Sequence, residues 1–229
     1  MKAAKTPAKK KPVDHRTRVA AQRRARMRAS LCEACLREAA KTGAESVSID
    51  AVIARAGVSR GTFYKYFTTP AELVSAVGAE LAQEIIVTIA PTVEKQGDPP
   101  RRLSAGFRMI LWLVQDNPLL GRFLCHAGWP MTDHVPAFSQ RVGANLAAGL
   151  SQGRFCAPSL EVAQAIVGGI SVGMFAAIGK MDLAEAAISE ATTALLLALG
   201  VEAREARRIA ELPLDRPKLP AGGLLAQTK

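Results

Sequence analysis

Hydrophobic residues along this chain recur at helical spacing, and the alternation typical of β-strands is absent. The clearest example is a helix predicted to start at Thr69-Pro70-Ala71-Glu72, which has the form of a capping box with proline at the first helical position. This helix is predicted to stop near Pro91. Its apolar stripe advances in steps of four residues through Leu73, Val77, Leu81, Ile85 and Ile89.

The same spacing predicts helices along the whole chain, so the expected fold class is all-α. Besides the helix from Thr69, the predicted helices cover residues 16–42, 48–56, 59–67, 101–116, 118–126, 135–152, 159–180 and 183–199. We expect four parts: a disordered basic arm, a three-helix unit, a larger helical domain and a flexible tail. Their boundaries are 1–15, 16–68, 69–212 and 213–229.

Charge separates the N-terminal part of the chain from the rest. Residues 1–65 carry 16 Lys or Arg against 5 Asp or Glu, a net charge of +11, whereas residues 66–229 carry 14 against 15. A basic block of this kind suits a polyanion such as nucleic acid or an anionic membrane surface. A solvated, solubilising face is the other interpretation.

The stretch GVSRGTFYKYF, residues 57–67, combines aromatic rings with positive charge. It follows a predicted helix capped by Ser48, and Gly57 forms the turn before a short helix that Ser59 caps. On that short helix Phe63 and Phe67 lie one turn apart and are predicted to be buried. The hydroxyl and cationic side chains then face a partner, as in a helix-turn-helix that contacts DNA.

These residues resemble the DNA-binding domain of the tetracycline-repressor (TetR) family of transcriptional regulators. The resemblance covers residues 25–80, with its most specific part at 54–67. It implies an all-helical homodimer with an N-terminal helix-turn-helix domain for operator DNA. A C-terminal helical domain would bind a small-molecule effector and dimerise. The family's DNA-contact positions correspond here to Ser48, Ser59, Arg60, Thr62, Tyr64, Lys65 and Tyr66.

One position departs from the family pattern. The family often has lysine just after the cap of the fourth helix, where its charge reaches a phosphate, and this chain has Pro70 there. One phosphate contact is therefore expected to be missing. The run of arginines before Met27 is expected to offset it.

Two further sets of residues are predicted to serve the C-terminal domain. Small residues at four-residue spacing in the helix over 159–180 would let two helices approach closely, which predicts a dimer interface at Ala165, Gly169, Gly173 and Ala177. Aromatic residues of the middle third either line an effector pocket or belong to the core. They are Trp112, Phe123, Trp129 and Phe138.

Enzymatic and metal chemistry are weaker interpretations. Gly169-Ile-Ser171-Val-Gly173 matches the nucleophile-elbow pattern, but that chemistry needs a preceding strand and a later histidine, and no histidine follows His134. Cys32 and Cys35 lack a second ligand pair at zinc spacing, so Cys35 is interpreted as a core residue. His126 and His134, near Cys125 and Asp133, form a conceivable metal site. We expect no enzyme, metal or cofactor.

The stretch over 162–179 is uncharged but short for a membrane span, so a buried helix is expected there. No secretory signal follows the basic start, which predicts a cytoplasmic protein that does not enter a membrane. The sequence thus predicts a dimeric, ligand-responsive repressor. The alternative is an architectural DNA-binding protein without operator specificity.

Overall fold

The computed structural model describes residues 15–126, 136–178 and 184–228, and within those ranges it contains helices and no strand. The α-helices are α1 (His15–Thr42), α2 (Ile49–Ala56), α3 (Arg60–Phe63), α4 (Pro70–Val93), α5 (Pro99–Asp116), α6 (Pro118–His126), α7 (Pro136–Ser151), α8 (Leu160–Ile178), α9 (Glu185–Ala198) and α10 (Ala203–Ala210). Each of α1 to α9 begins or ends close to a predicted boundary.

The N-terminal unit consists of α1, α2 and α3 around a small core. Cys32 and Cys35 on α1 are fully buried in it, as the core interpretation of Cys35 predicts. Burial raises the pKa of the Cys32 thiol to about 11 and that of the Cys35 thiol to about 12. Both thiols are therefore protonated near neutral pH, which makes them poor nucleophiles and poor metal ligands.

The helix caps follow the sequence prediction. The hydroxyl oxygens of Ser48, Ser59 and Thr69 each accept a hydrogen bond from a backbone N–H of the first helical turn, at 3.1–3.2 Å. Gly57 ends α2 in the left-handed conformation, with φ 66°, which a residue with a side chain would adopt only at a cost. These caps fix the turn between α2 and α3.

Helix α4 connects the N-terminal unit with the rest of the chain. The predicted stripe from Leu73 to Ile89 is buried along its length. The helix continues to Val93, beyond the stop that the sequence predicts near Pro91. Proline removes a single N–H donor, and the backbone N–H of Glu94 still bonds to the carbonyl of Ala90 at 2.8 Å.

Helix α5 is the centre of the C-terminal domain, where it contacts α4 and each of α6 to α10. Nearly every residue from Leu103 to Val114 is buried. Helices α4 and α8 are both long and apolar enough to span a membrane by composition. For α4 that apolar character is the core stripe, whereas α8 leaves much of its apolar surface outside the subunit core.

The segment after α10 packs against the domain, where the sequence predicts a flexible tail. Leu224 and Leu225 are buried, and their N–H groups donate to the carboxylate of Glu84 on α4 at 2.9 and 2.6 Å. Arg216 pairs with Asp116 and Glu185. Two leucines in a polar, proline-rich context give no periodic signal, so this docking could not be predicted from the local pattern.

Candidate DNA-binding surface and ligand cavity

Helix α3 and the turn after it separate two kinds of side chain. Phe63 and Phe67 are buried, at 0% and 4% exposure, with ring centroids 6.2 Å apart. Tyr64 is 51% exposed and Lys65 is also exposed. The ring of Tyr64 packs edge-on against Phe63, with 5.6 Å between the ring centroids, which orients the tyrosine ring. Phe63 and Phe67 are thus buried as predicted and Tyr64 and Lys65 face solvent, whereas Tyr66, predicted to face a partner, is half-buried against the core.

The remaining predicted DNA-contact residues lie at the start of α2, on α3 and in the turn after α3. Ser48 and Ser59 are exposed caps of α2 and α3, and the Ser59 hydroxyl lies 3.0 Å from that of Thr62. Arg60 is exposed and forms an ion pair with Asp50 at the start of α2. That pair holds the guanidinium against α2, and an exposed pair of this kind exchanges readily for a phosphate.

The first half of α1 adds a cationic surface beside α3. Its side chains from Arg18 to Arg28 are mostly exposed, and the first fully buried residue is Leu31. Arg24 lies over the ring of Tyr66, with 5.8 Å between the guanidinium carbon and the ring centroid. Arg28 lies over Phe67 at 5.7 Å and pairs with Glu80 of α4 at 2.8 Å. The arginines of α1 therefore lie beside the turn after α3, and we refer to these arginines and α3 together as the basic surface.

A cavity of about 500 Å³ lies in the C-terminal domain between α4, α5, α7 and α8. Its walls are mainly aliphatic. Among the lining residues are Ile86, Ile89, Val93, Leu103, Phe107, Ile110, Phe138, Val142, Val167 and Phe175. This volume is in the range of sites that enclose a small organic molecule.

The aromatic residues predicted for the pocket do not lie together. Phe138 lines the cavity. Trp112 and Phe123 are buried in the core away from it, and the Trp112 indole N–H donates to the carboxylate of Glu185 at 2.9 Å. Trp129 lies outside the described residues. The sequence carried no signal for the aliphatic walls, because the residues of a cavity and of a core share the same periodicity.

Polar groups gather at one end of the cavity, near the turn between α4 and α5. Glu94 at the end of α4 forms an ion pair with Arg141 of α7 at 3.0 Å. Arg102 donates to the carbonyls of Gln96 and Gly97 at 2.7 and 3.3 Å. Asn145 donates to the carbonyl of Pro99 at 3.0 Å, and its own Oδ1 is buried without a partner among the described residues. The cavity thus has an apolar body and a polar rim.

The row of small residues predicted as a dimer interface lies on the outer side of α8. Ala165, Gly169 and Gly173 are exposed and Ala177 is half-buried. A Cβ built on Gly169 or on Gly173 would meet no atom within 4 Å. Val162, which precedes the row by one turn on α8, is an exposed apolar residue, at 41%.

The nucleophile-elbow interpretation lacks the geometry that it needs. Ser171 lies in the middle of α8, where its hydroxyl donates to the Val167 carbonyl at 2.7 Å, so there is no strand-to-helix elbow. Within the described ranges, no three His, Cys, Asp or Glu side chains come together as metal ligands. Asp133 and His134 of the conceivable metal site lie outside those ranges, as does the His126 side chain.

Comparison with known proteins supports the helix-turn-helix and the cavity as parts of one architecture. The N-terminal model of the bacterial regulatory proteins of the tetR family matches residues 31–77. The model of the tetracyclin repressor-like C-terminal domain matches residues 98–212. Together they cover the second half of α1, α2, α3, the start of α4 and the C-terminal domain from α5 to α10.

Two curated relatives illustrate the likeness in sequence. An uncharacterized HTH-type transcriptional regulator of Mycobacterium tuberculosis is 31% identical over 46% of this chain and 52% of its own length. The HTH-type transcriptional repressor KstR of Mycolicibacterium smegmatis is 36% identical over 47% of this chain and 52% of its own length. The chain therefore spans about half the length of the curated relatives it matches.

Two solved structures illustrate the likeness in fold. The crystal structure of RolR in complex with resorcinol is 25% identical, with a TM-score of 0.60 over 87% of this chain and all of that chain. FadR from Bacillus subtilis in complex with stearoyl-CoA is 14% identical, with a TM-score of 0.58 over 75% of this chain and 97% of that chain, and shows the fold alone. Since the C-terminal family model by itself spans half of the sequence, the chain belongs to the TetR family of bacterial regulatory proteins.

Proposed function

We propose that this protein is a sequence-specific DNA-binding repressor that a small-molecule effector releases from its operator. One observation carries the proposal. A single helix, α4, borders the DNA-binding unit at its first turn and lines the ligand cavity at its last turns. With 24 residues it spans about 36 Å, at 1.5 Å per residue. A shift of its cavity end therefore displaces the basic surface at its other end.

The protein would act as a cytoplasmic homodimer without enzymatic activity, cofactor or membrane partner. Two copies of α3 then enter successive major grooves of a palindromic operator, as dimeric helix-turn-helix proteins do. The dimer contacts come from the outer face of α8, with the small residues at its centre. The RolR complex with resorcinol supports a small organic effector for a protein of this architecture.

The test is operator selection followed by release. The purified protein is used to enrich a random duplex library, and the enriched site is measured by gel shift at fixed salt. We expect a palindrome bound at least about 10³-fold more tightly than bulk DNA. A ratio near one would favour the alternative, an architectural protein that holds the phosphate backbone without reading bases.

Release is tested with a pair of matched tryptophan variants on α7. Val142→Trp fills the cavity from its wall, whereas Ala147→Trp adds the same side chain on an exposed position that does not line it. Cells carrying the operator before a reporter gene are screened with small organic compounds. Compounds that induce the wild type should induce Ala147→Trp and fail with Val142→Trp. Equal induction in both variants would place the effector elsewhere.

A further inference from the structure

We propose that the effector of this protein is an amphipathic carboxylic acid whose carboxylate replaces Glu94 as the partner of Arg141. The inference rests on the proposed function, because it names the ligand class and the switch of the same cavity. Three observations lead to it: an exchangeable ion pair at the rim, an uncompensated guanidinium beside it, and an apolar body behind them.

The ion pair joins the two helices that flank the rim. Arg141 on α7 contacts Glu94 immediately after α4, with the two side chains 57% and 65% exposed. Both residues line the cavity. Because the pair is largely solvated, it contributes little by itself and its anion can be exchanged. A ligand carboxylate would bind the Arg141 guanidinium in the two-point geometry that arginine offers to planar anions.

The second guanidinium lacks an internal anion. Arg102 lines the same rim and donates only to the carbonyls of Gln96 and Gly97. No carboxylate lies within ion-pair distance of it among the described residues, although Asp98 is close in sequence. Asp98 is paired with Arg154 instead, at 2.9 Å. The rim therefore holds two arginines against one glutamate, which leaves it net positive toward an entering ligand.

The apolar walls of the cavity favour a ligand whose remaining part is apolar. Behind the rim the walls are formed by residues such as Ile86, Ile110, Val167 and Phe175, and the volume is about 500 Å³. Burial of an apolar chain or ring there supplies binding free energy in proportion to its area. A small inorganic anion would reach the arginines but leave this surface empty. An acid with an apolar body satisfies both parts of the site.

Exchange at Arg141 gives the ligand a direct effect on α4. In the free protein the Glu94–Arg141 pair is one of several contacts between α4 and α7. When the carboxylate occupies Arg141, that contact is lost, and the apolar body of the ligand gains contacts with α4 at Ile86 and Ile89, which supply most of the effect. The ligand thus stabilises one position of α4 over the other, which is what an effector must do.

The experiment compares acids with neutral isosteres on the full-length protein. The probes are decanoate, 4-phenylbutyrate and 2-naphthoate, each measured beside its primary amide by thermal shift and calorimetry. We expect at least one acid to raise the melting temperature and to bind about tenfold or more tightly than its amide, as a charged hydrogen bond predicts. Equal binding of acid and amide, or no binding by any acid, would overturn the assignment.

Charge variants then locate the carboxylate. Arg141→Gln and Arg102→Gln should each lower the affinity for the acid by about tenfold or more and leave the affinity for the amide unchanged. Arg122→Gln is the matched control, because Arg122 is exposed on α6 and does not line this cavity. Glu94→Gln should act in the opposite direction and raise the affinity for the acid severalfold, because the carboxylate that competes for Arg141 is gone. Weaker acid binding in Glu94→Gln would contradict the exchange.

Failure of this inference is distinguishable from failure of the proposed function. The binding assays use no DNA, and operator selection uses no ligand. A protein that selects a palindrome but binds acid and amide equally remains a repressor with a different effector class. If the protein binds acids through Arg141 but selects no DNA sequence, the ligand class is supported and the proposed function as a repressor is wrong.

Discussion

Adjacent residues at the end of α3 and in the turn after it face opposite environments, and this predicts opposite consequences of substitution. Lys65→Ala and Tyr64→Phe alter exposed groups, so the free energy of unfolding should not change measurably. Specific operator binding should weaken by roughly 1–3 kcal/mol if the side chain reads a base edge. Gel shift against the selected operator, with chemical denaturation in parallel, measures both quantities.

Two substitutions serve as controls for that experiment. Lys95→Ala is the control for charge, because this exposed lysine lies beyond the other end of α4 and should leave operator affinity unchanged. Phe63→Ala is the control for folding, and removal of its fully buried ring should destabilise the protein by ~3–5 kcal/mol. Full operator affinity in both Lys65→Ala and Tyr64→Phe would show that α3 is not the reading element.

At the scale of elements, local signals explain what could be predicted from the sequence. Helix positions follow from caps and periodicity, so Ser48, Ser59 and Thr69 located three helix starts correctly. The cavity and the docked tail depend on contacts between distant segments. Glu84 meets Leu224 and Leu225 across 140 positions of sequence, and no local pattern indicates such a pairing.

The C-terminal segment predicts a contrast between two neighbouring glycines. Gly223 has φ 92°, and a Cβ there would collide with the Glu84 carboxylate, whereas a Cβ on Gly222 would meet nothing within 4 Å. Gly223→Ala should therefore lower stability by roughly 1 kcal/mol or more through backbone strain alone. Gly222→Ala should be close to neutral. Thermal melts of the two variants test the docking, and equal melting temperatures would show that the segment is not held.

The basic arm that the sequence predicts before α1 lies outside the described residues and carries its own prediction. Residues 2–14 contain five lysines, and we expect their charges to neutralise phosphates irrespective of the base sequence. Deletion of the arm should reduce the slope of log affinity against log salt by about 0.9 for each phosphate that the lysines neutralise. Discrimination between the operator and bulk DNA should barely change. An unchanged slope would show that the arm does not touch DNA, and replacing the five lysines by glutamine separates charge from chain length.

At the scale of the whole molecule, we expect α4 to transmit the effect of a ligand to the DNA-binding unit and α8 to hold the two subunits together. Helix α4 is embedded between the DNA-binding unit and the cavity, so it can transmit a ligand's effect within one subunit. Helix α8 contributes Val167, Ser171 and Phe175 to the cavity on its inner side and the small-residue row on its outer side. A ligand in the cavity therefore touches the helix that we expect to hold the two subunits together.

Substitution of Gly173 tests that expectation. Within one subunit a Cβ on Gly173 meets open space, so a leucine there should not disturb the fold. In a two-fold dimer the same leucine enters the contact between the two α8 helices from both subunits. Overpacking of this kind costs roughly 1–3 kcal/mol at each site. We expect Gly173→Leu to sediment as a folded monomer with unchanged helicity. Its operator affinity should fall steeply, because a monomer holds a single half-site and the second half-site no longer binds intramolecularly.

The control for Gly173→Leu needs comparable bulk at an unstrained and exposed position. Gly153→Leu is unsuitable, since that glycine has φ 64° and a leucine would strain the backbone. Ala147→Leu on the exposed side of α7 meets both requirements and should remain dimeric. If Gly173→Leu also stayed dimeric with full operator affinity, the interface would have to lie away from the outer face of α8. Unfolding of Gly173→Leu without a folded monomer would instead mean that the glycine packs inside one subunit.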